Sequence, residues 1–467
     1  MGFLDLFIVT VALPPIRADL SAGVSAAQFV LDAYVLAYGV ALVSGGRLGD
    51  RFGHRRLFVL GMGGFTLFSL ACALAPDVGG LIAARAGQGL SAAAMLPQVL
   101  TTIQLVLPEH RRAAAIGAYG AVIGAASVCG QVLGGLLVDL DLFGLGWRSL
   151  FLINLPIGVA GVVLALRVVP VTKGERTALD LVGLAAISGC LIALLVGLTE
   201  GPDRRWPWWA ITCVGAGLLG AVLAAAVERH VDRSGRAALV PPRIVAQRSV
   251  RRGLLLLVPY YASNTGFFVV LTFFLQNGLH ASPLTAGLAF APLGLGFSAM
   301  SVAGRAREGW QTPGAMAVGA TVMVAGLAVS IGVAAAGGGA AALAGPLLVC
   351  GIGQGIVAPP LIGTILRRVA PEDAGAASGV LLTSTQVANA LGIAVLGGVW
   401  AAAAGHGVRT AYALGAGAAA LLAALAAGAA LMLRAGSAGP DVAAGDAADQ
   451  PRSRAENVSH RSGSPVR

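Results

Sequence analysis

The chain alternates long apolar stretches with short polar ones. Each apolar block is roughly 20 residues long, the length of helix that crosses a hydrocarbon core of about 30 Å. Within the blocks the apolar run is continuous and does not alternate with period two, so membrane helices are predicted and β-strands are not. Fourteen blocks can be counted, with cores near 1–15, 28–46, 57–75, 80–106, 113–138, 149–169, 180–199, 207–227, 253–275, 284–303, 314–336, 341–365, 375–400 and 409–433.

Composition agrees with the pattern. Apolar residues make up 57% of the chain and charged residues 11%, against about 25% charged in a soluble domain. The 67 glycines suit membrane helices, which approach closely through small residues because no hydrophobic effect drives them together. The net charge of +10 does not point to nucleic acid, because most of it lies in the short gaps between blocks. All five cysteines lie inside apolar blocks, with no spacing that suggests a metal site or a disulfide framework. No cofactor is expected, and no nucleotide-binding loop of the GxxxxGK[ST] kind is present in the sequence, so an enzyme driven by ATP is not expected.

The basic residues set a direction. The gaps after even-numbered blocks hold 20 Arg and Lys, and the gaps after odd-numbered blocks hold 5. The positive-inside rule then places the even gaps and both termini in the cytoplasm. The segment 435–467 is polar and rich in Ser, Gly, Pro and Asp, the composition of a disordered cytoplasmic tail. The first block has no basic leader and no small-residue cleavage site, so it reads as a membrane helix and not as a signal peptide. About 14 residues precede Pro14 and Pro15, roughly 21 Å of helix. That predicts either a short first helix or a natural start upstream of Met1.

Two gaps resemble each other. Gly46-Arg47 opens the gap after block 2, and Gly304-Arg305 opens the gap after block 10. A separation of eight blocks predicts two six-helix bundles related by an axis along the membrane normal, with blocks 7 and 8 inserted between them. The expected divisions are 1–170 for the first bundle, 171–250 for the inserted pair and an Arg-rich linker, 251–434 for the second bundle, and 435–467 for the tail.

Specific motifs sharpen this. The gap Gly46-Arg47-Leu48-Gly49-Asp50-Arg51-Phe52-Gly53-His54-Arg55-Arg56 resembles the loop motif of the major facilitator superfamily. Arg85 with Gln88 and Gly89 is similar to its second shared motif. Asp5 with the following Val11-Ala12-Leu13-Pro14, the stretch from Trp147 through Asn154 to Gly158, and Gly375 to Gly379 leading to Gln386 are similar to its fourteen-helix drug:proton antiporter branch. The resemblance covers nearly the whole chain. It implies an all-α membrane protein with the major facilitator fold, working in a bacterial cytoplasmic membrane as a monomer and exchanging protons for a small molecule. Two departures stand out. Phe7 and Thr10 replace the usual polar pair after the first-helix acid, and Gln131 replaces the Pro expected in Gly130-Gln131-Val132-Leu133-Gly134-Gly135.

The candidate chemistry follows from where polar groups interrupt apolar helices. With the first helix ending near Pro14, Asp5 falls near the midplane, where a lone carboxylate is costly unless protonated, paired or hydrated. It is therefore a candidate to take up and release a proton. Asp32, near the outer end of block 2, is open to three readings: contact with a cationic substrate, exposure to solvent, or pairing with Arg85. The resemblance implies that Arg85 takes part in proton coupling. Gly46, Asp50, Arg51, Gly53 and Arg55 are expected to form a gating loop whose charge-assisted bonds hold one conformational state. The amides Gln88, Gln131, Asn264, Gln386 and Asn389 are the candidates for lining a substrate cavity. The Arg-rich linker Glu228–Arg252 is expected to touch anionic lipid. The combined expectation is proton-driven export of a small amphiphilic molecule, cationic or aromatic, by alternating access. The alternative is proton-coupled or facilitated uptake of a metabolite.

Overall fold

A computed structural model describes residues 1–141, 144–171, 181–203, 206–233, 242–281, 283–304, 310, 312–366, 369–370 and 373–437. Most of the second Gly-Arg gap beyond Gly304, residues 234–241 of the linker between blocks 8 and 9, and the polar tail from 438 onward lie outside these residues.

The described chain is helical. The long helices are α1 Gly2–Asp19, α2 Val24–Phe52, α3 His54–Ala73, α4 Val78–Val106, α5 Glu109–Leu140, α6 Asn154–Val168, α7 Leu181–Asp203, α8 Trp208–Arg233, α9 Arg248–Phe273, α10 Ala291–Ala303, α11 Pro313–Ala335, α12 Ala344–Leu366, α13 Ala374–Ala403 and α14 Val408–Ser437. The apolar blocks fall on these helices, except that block 284–303 is divided between a short helix Pro283–Ala289 and α10. Ten helical segments among the described residues have both the length and the apolar composition to cross a membrane, and 185–198 and 208–224 are shorter apolar helices.

Local sequence explains several boundaries. Asp77 caps α4 by accepting a bond from the Gly80 N–H at 2.8 Å. Thr312 caps α11 in the same way from Ala315, and Pro313 follows at the first position, where its missing N–H costs nothing. α2 and α3 are separated by a single residue, Gly53, at φ 93°, a backbone state that L side chains rarely adopt. One boundary differs from the sequence expectation. α1 continues through Pro14 and Pro15 to Asp19. Asp5 is therefore fourteen residues from the far end of its helix, roughly 21 Å, and lies deeper than predicted.

The helices sort into two bundles and a pair. α1–α6 pack among themselves, through α2 on α4, α3 on α4, α1 on α5 and α3 on α6. α9–α14 do likewise, through α11 on α12 and α14, α9 on α13 and α14, and α10 on α12. α7 and α8 pack on each other, and α7 also lies against α2 and α13. There Leu194, Leu195 and Leu198 meet Leu36, Val40, Ala390 and Ala394.

The bundles meet along two seams, α2 with α13 and α5 with α10. Shifting by eight helices turns α2 into α10 and α5 into α13, so each seam is the image of the other. This is the arrangement expected for two repeats about a common axis.

Candidate functional site

The deepest polar cluster lies inside the first bundle. Arg85 and Gln88 are one turn apart on α4 and share a face. Ser69 and Cys72 are similarly spaced on α3. Asp5 on α1 and Asn154 at the start of α6 complete the set. Asp5, Ser69, Arg85, Gln88 and Asn154 are all almost completely buried.

Their bonds converge on the carboxylate. Arg85 Nη1 forms an ion pair with Asp5 Oδ2. Asp5 Oδ1 accepts from Asn154 Nδ2 at 2.8 Å and from Gln88 Nε2 at 3.1 Å. Ser69 Oγ accepts from Gln88 at 2.6 Å and from Asn154 at 3.2 Å. Arg85 also donates to Gln88 Oε1 at 2.6 Å and to the Val30 carbonyl at 3.1 Å. Its guanidinium lies 4.4 Å from the centre of the Tyr34 ring and 5.9 Å from that of Phe151. α1, α3, α4 and α6 are thus tied to one carboxylate. In a low-dielectric interior such a pair persists because each charge is matched by the other and by further hydrogen bonds.

Arg85 forms its ion pair with Asp5, and Asp32 is buried at 7% exposure, so it is not a solvated surface acid. Gln88, expected in a substrate cavity, is occupied within the carboxylate cluster. Sequence reasoning quoted Asn154 only as part of a motif and missed Ser69. No periodic signal marks either one; their role appears only when α3 and α6 close on α1.

A second group occupies the end of α2. Asp50 lies 3.6 Å from Arg47 Nη1 and 3.7 Å from His54 Nε2. His54 Nδ1 meets Gln98 Oε1 at 2.8 Å, and Gln98 donates to the Gly45 carbonyl at 2.8 Å. The Asp50 carboxylate also fills the space beside Gly375, so closely that a Cβ there would overlap it. Gly375 is in the first turn of α13, where unsatisfied N–H groups and the helix dipole favour an anion. A Cβ at Gly46 would likewise overlap the Gly375 carbonyl. From α4, Thr101 Oγ1 approaches Ser378 Oγ at 3.2 Å and the Ala374 carbonyl at 3.4 Å.

The expected gating loop therefore divides. Gly46 and Asp50 reach across the seam to the other bundle. Arg55 donates to the Leu166 carbonyl in the last turn of α6, a contact inside its own bundle. Arg51 lies 5.4 Å from the Phe52 ring, and Gly53 makes the turn.

At the opposite end of α1, Asp19 accepts from Trp147 Nε1 at 3.0 Å and from Arg148 Nη1 at 2.6 Å. These bonds hold its carboxyl below the usual carboxylate range, with the Arg148 bond the larger cause.

Two of the amides, Gln386 and Asn389, come together. Thr265 Oγ1 bonds Asn389 Oδ1 at 2.7 Å, and Asn389 Nδ2 donates to Gln386 Oε1 at 3.2 Å. Asn264 is next to Thr265 on α9 and half-buried. The side chain of Gln131 lies outside the described residues.

Known proteins agree with this architecture. The profile of the Major Facilitator Superfamily matches residues 1–393. The probable actinorhodin transporter of Streptomyces coelicolor is 38% identical over 406 residues, covering 85% of this chain and 70% of that protein. The cephamycin export protein of Amycolatopsis lactamdurans is 37% identical, covering 84% and 81%. The puromycin resistance protein of Streptomyces alboniger is 36% identical, covering 84% and 78%. Among solved structures, the human organic anion transporter MFSD10 aligns at a TM-score of 0.62 and 17% identity, over 91% of this chain and 96% of that one. With its two bundles, its paired seams and this match over most of its length, the chain belongs to the major facilitator superfamily of membrane transporters.

Proposed function

We propose that the protein exports a small amphiphilic molecule from the cytoplasm in exchange for protons, by alternating access between its two bundles. The observation that carries this reading is the buried Asp5–Arg85 pair. A proton arriving on Asp5 removes the charge that Arg85 balances and leaves a guanidinium unmatched in a dry interior, which is strongly unfavourable. The four helices that hold the carboxylate must then rearrange. Proton binding is in this way linked to the shape of the first bundle, and loss of the proton restores the pair.

The seam supplies the other half of the cycle. Asp50 against the N-terminus of α13, with Thr101 against Ser378, holds the bundles together at one end of the molecule. The excess of Arg and Lys in the gaps on that side supports placing it, and both termini, in the cytoplasm. The conformation described is then closed toward the cytoplasm, and substrate loading requires Asp50 to leave α13. Asp32, near the other end of α2, belongs to the outward half of the path.

The same reading gives fourteen spans in a bacterial cytoplasmic membrane. Residues 1–170 and 251–434 form the moving bundles, 171–250 the inserted pair with its linker, and 435–467 a cytoplasmic tail. It also gives a monomer with no resident cofactor, whose linker arginines contact anionic lipid. Export agrees with the names of several relatives, including a cephamycin exporter and a puromycin resistance protein.

The test is proton-driven flux in inverted membrane vesicles carrying wild type or Asp5→Asn at equal insertion. Export coupled at Asp5 predicts proton-dependent accumulation by wild type and none by the variant. Flux in the opposite direction would establish uptake instead.

A further inference from the structure

Asp5 is surrounded by groups that suit a carboxylate. Arg85 on α4 pairs with Oδ2, and the amides of Gln88 on α4 and Asn154 on α6 donate to Oδ1. The other titratable groups within electrostatic reach are Tyr34 on α2, Cys72 on α3 and the Met1 amino group of α1 itself. A proton on Asp5 changes what the site must supply. A carboxylic acid O–H is a donor and needs an acceptor, and a buried donor left without one is costly.

Most acceptors in the cluster are already engaged. Gln88 Oε1 accepts from Arg85 Nη1 at 2.6 Å and from Cys72 Sγ at 3.8 Å. Ser69 Oγ accepts from both amides. The Tyr34 hydroxyl is turned to the Gly2 carbonyl at 3.1 Å. Asn154 Oδ1 is different: it is buried and finds no hydrogen-bond partner among the described residues, in a residue only 1% exposed. Such orphans are rare in folded proteins. Gln88 is thus pinned at both ends of its amide and Asn154 at one. A half-turn about χ2 of Asn154 exchanges Oδ1 and Nδ2, and that torsion is broad and roughly two-fold. The carbonyl oxygen then takes the place from which the N–H donates now.

We propose that Asn154 turns its amide when Asp5 takes up a proton, so that one side chain bonds both forms of the acid. The proton comes from water and binds Asp5 Oδ1. The N–H···O⁻ bond is replaced by an O–H···O=C bond to Asn154 Oδ1, and no other covalent bond is made or broken. One end of the amide lacks a partner before the turn and one end after it, so neither form is favoured by the orphan. The proposal rests on the reading of Asp5 as the proton site and states what that site does in its second form. The attraction between α1 and Arg85 on α4 is lost on protonation, while the hold of α6 on α1 is kept. Asn154 is a positioning residue in this scheme, deciding which helix lets go.

The experiment is infrared difference spectroscopy of the purified full-length protein in lipid, neutral against acid, with the asparagine side-chain carbonyls labelled with carbon-13. The labelled carbonyl band of wild type is expected to move to lower frequency on acidification, as a free C=O becomes a bonded one. It should move in step with the appearance of the Asp5 carboxylic acid band. Asn154→Leu should lack the labelled shift, and Asp5→Asn/Arg85→Gln should lack both changes. Should Asn154→Leu not fold, Asn154→Thr removes the same carbonyl and leaves a hydroxyl for Asp5. Asn154→Leu is also expected to change the proton affinity of Asp5 by less than about threefold, because it removes one bond from each form. A residue that only donated to the carboxylate would, on removal, raise that affinity about tenfold or more. The proposal is overturned if the labelled band stays still while Asp5 protonates, if Asp5 never protonates, or if Asn154→Leu raises the affinity tenfold. A moving band with proton-driven flux retained in Asp5→Asn would sink the coupling reading and leave the amide turn standing. A still band with flux lost in Asp5→Asn would do the reverse.

Discussion

Asp50 on α2 and Gly375 on α13 occupy one space: the carboxylate of the first lies where a side chain of the second would begin. Any side chain at 375 meets the Asp50 carboxylate, which must leave the start of α13 to make room. Gly375→Leu is therefore expected to insert and fold, because each bundle keeps its own packing, yet to lose the closed state. The check is protease or cysteine-reagent access to the α2–α3 turn, which should rise in the variant. Unchanged access, with transport retained, would remove Asp50 from gating.

Asp5 and Arg85 depend on each other. Asp5→Asn leaves a buried guanidinium unmatched and should destabilise by about 3–5 kcal/mol, as should Arg85→Gln for the carboxylate. The double variant Asp5→Asn/Arg85→Gln removes both charges and is expected to recover most of that loss while staying inactive in proton-driven flux. Thermal melting of the three variants measures the coupling. Additive losses would show that the pair is not a unit.

Tyr34 on α2 carries the Arg85 guanidinium on its ring. Tyr34→Leu keeps the apolar volume but removes the ring under Arg85, worth about 0.5–2 kcal/mol for a desolvated cation over an aromatic face. Substrate binding should survive while its dependence on pH flattens. A pH dependence of binding identical to wild type would place the coupling elsewhere.

The tether from Asp19 to Arg148 and Trp147 titrates. Its folded carboxyl lies below the ordinary value, so its stabilisation is fully present above the usual carboxylate pKa of about 3.9. It is lost as pH falls through the lower folded value. The pair is exposed, so the effect stays within about 0–1 kcal/mol. Wild type should melt slightly above Asp19→Asn at pH 7, and the gap should close below pH 4. A gap that widens with acid would reverse the assignment.

Gly53 joins α2 to α3 at a positive φ. Gly53→Ala should cost about 1–3 kcal/mol and shift the whole turn, Arg55 included. Loss of the Arg55 contact with the α6 end should then appear as faster hydrogen exchange at Leu166–Val169.

The sequence by itself determined where helices lie, because block length is a local quantity. Block length against bilayer thickness marks the helices, while the placement of Arg and Lys between blocks gives only the direction expected of them. It also marked Asp5, Arg85 and Asp50, since a charge at or near a membrane is conspicuous against an apolar background. It misplaced the end of α1, because two prolines read as a stop that the helix in fact passes through. It could not choose a partner for Arg85: Asp5 and Asp32 are both acids at plausible depth, and only the folded bundle brings Asp5 and Arg85 into an ion pair. Ser69 and Tyr34 gave no signal, and Asn154 only its place in a motif, being unremarkable residues in separate helices. Their meaning is long-range, carried by contacts between helices far apart in the chain, and those contacts exist only once the bundles have closed.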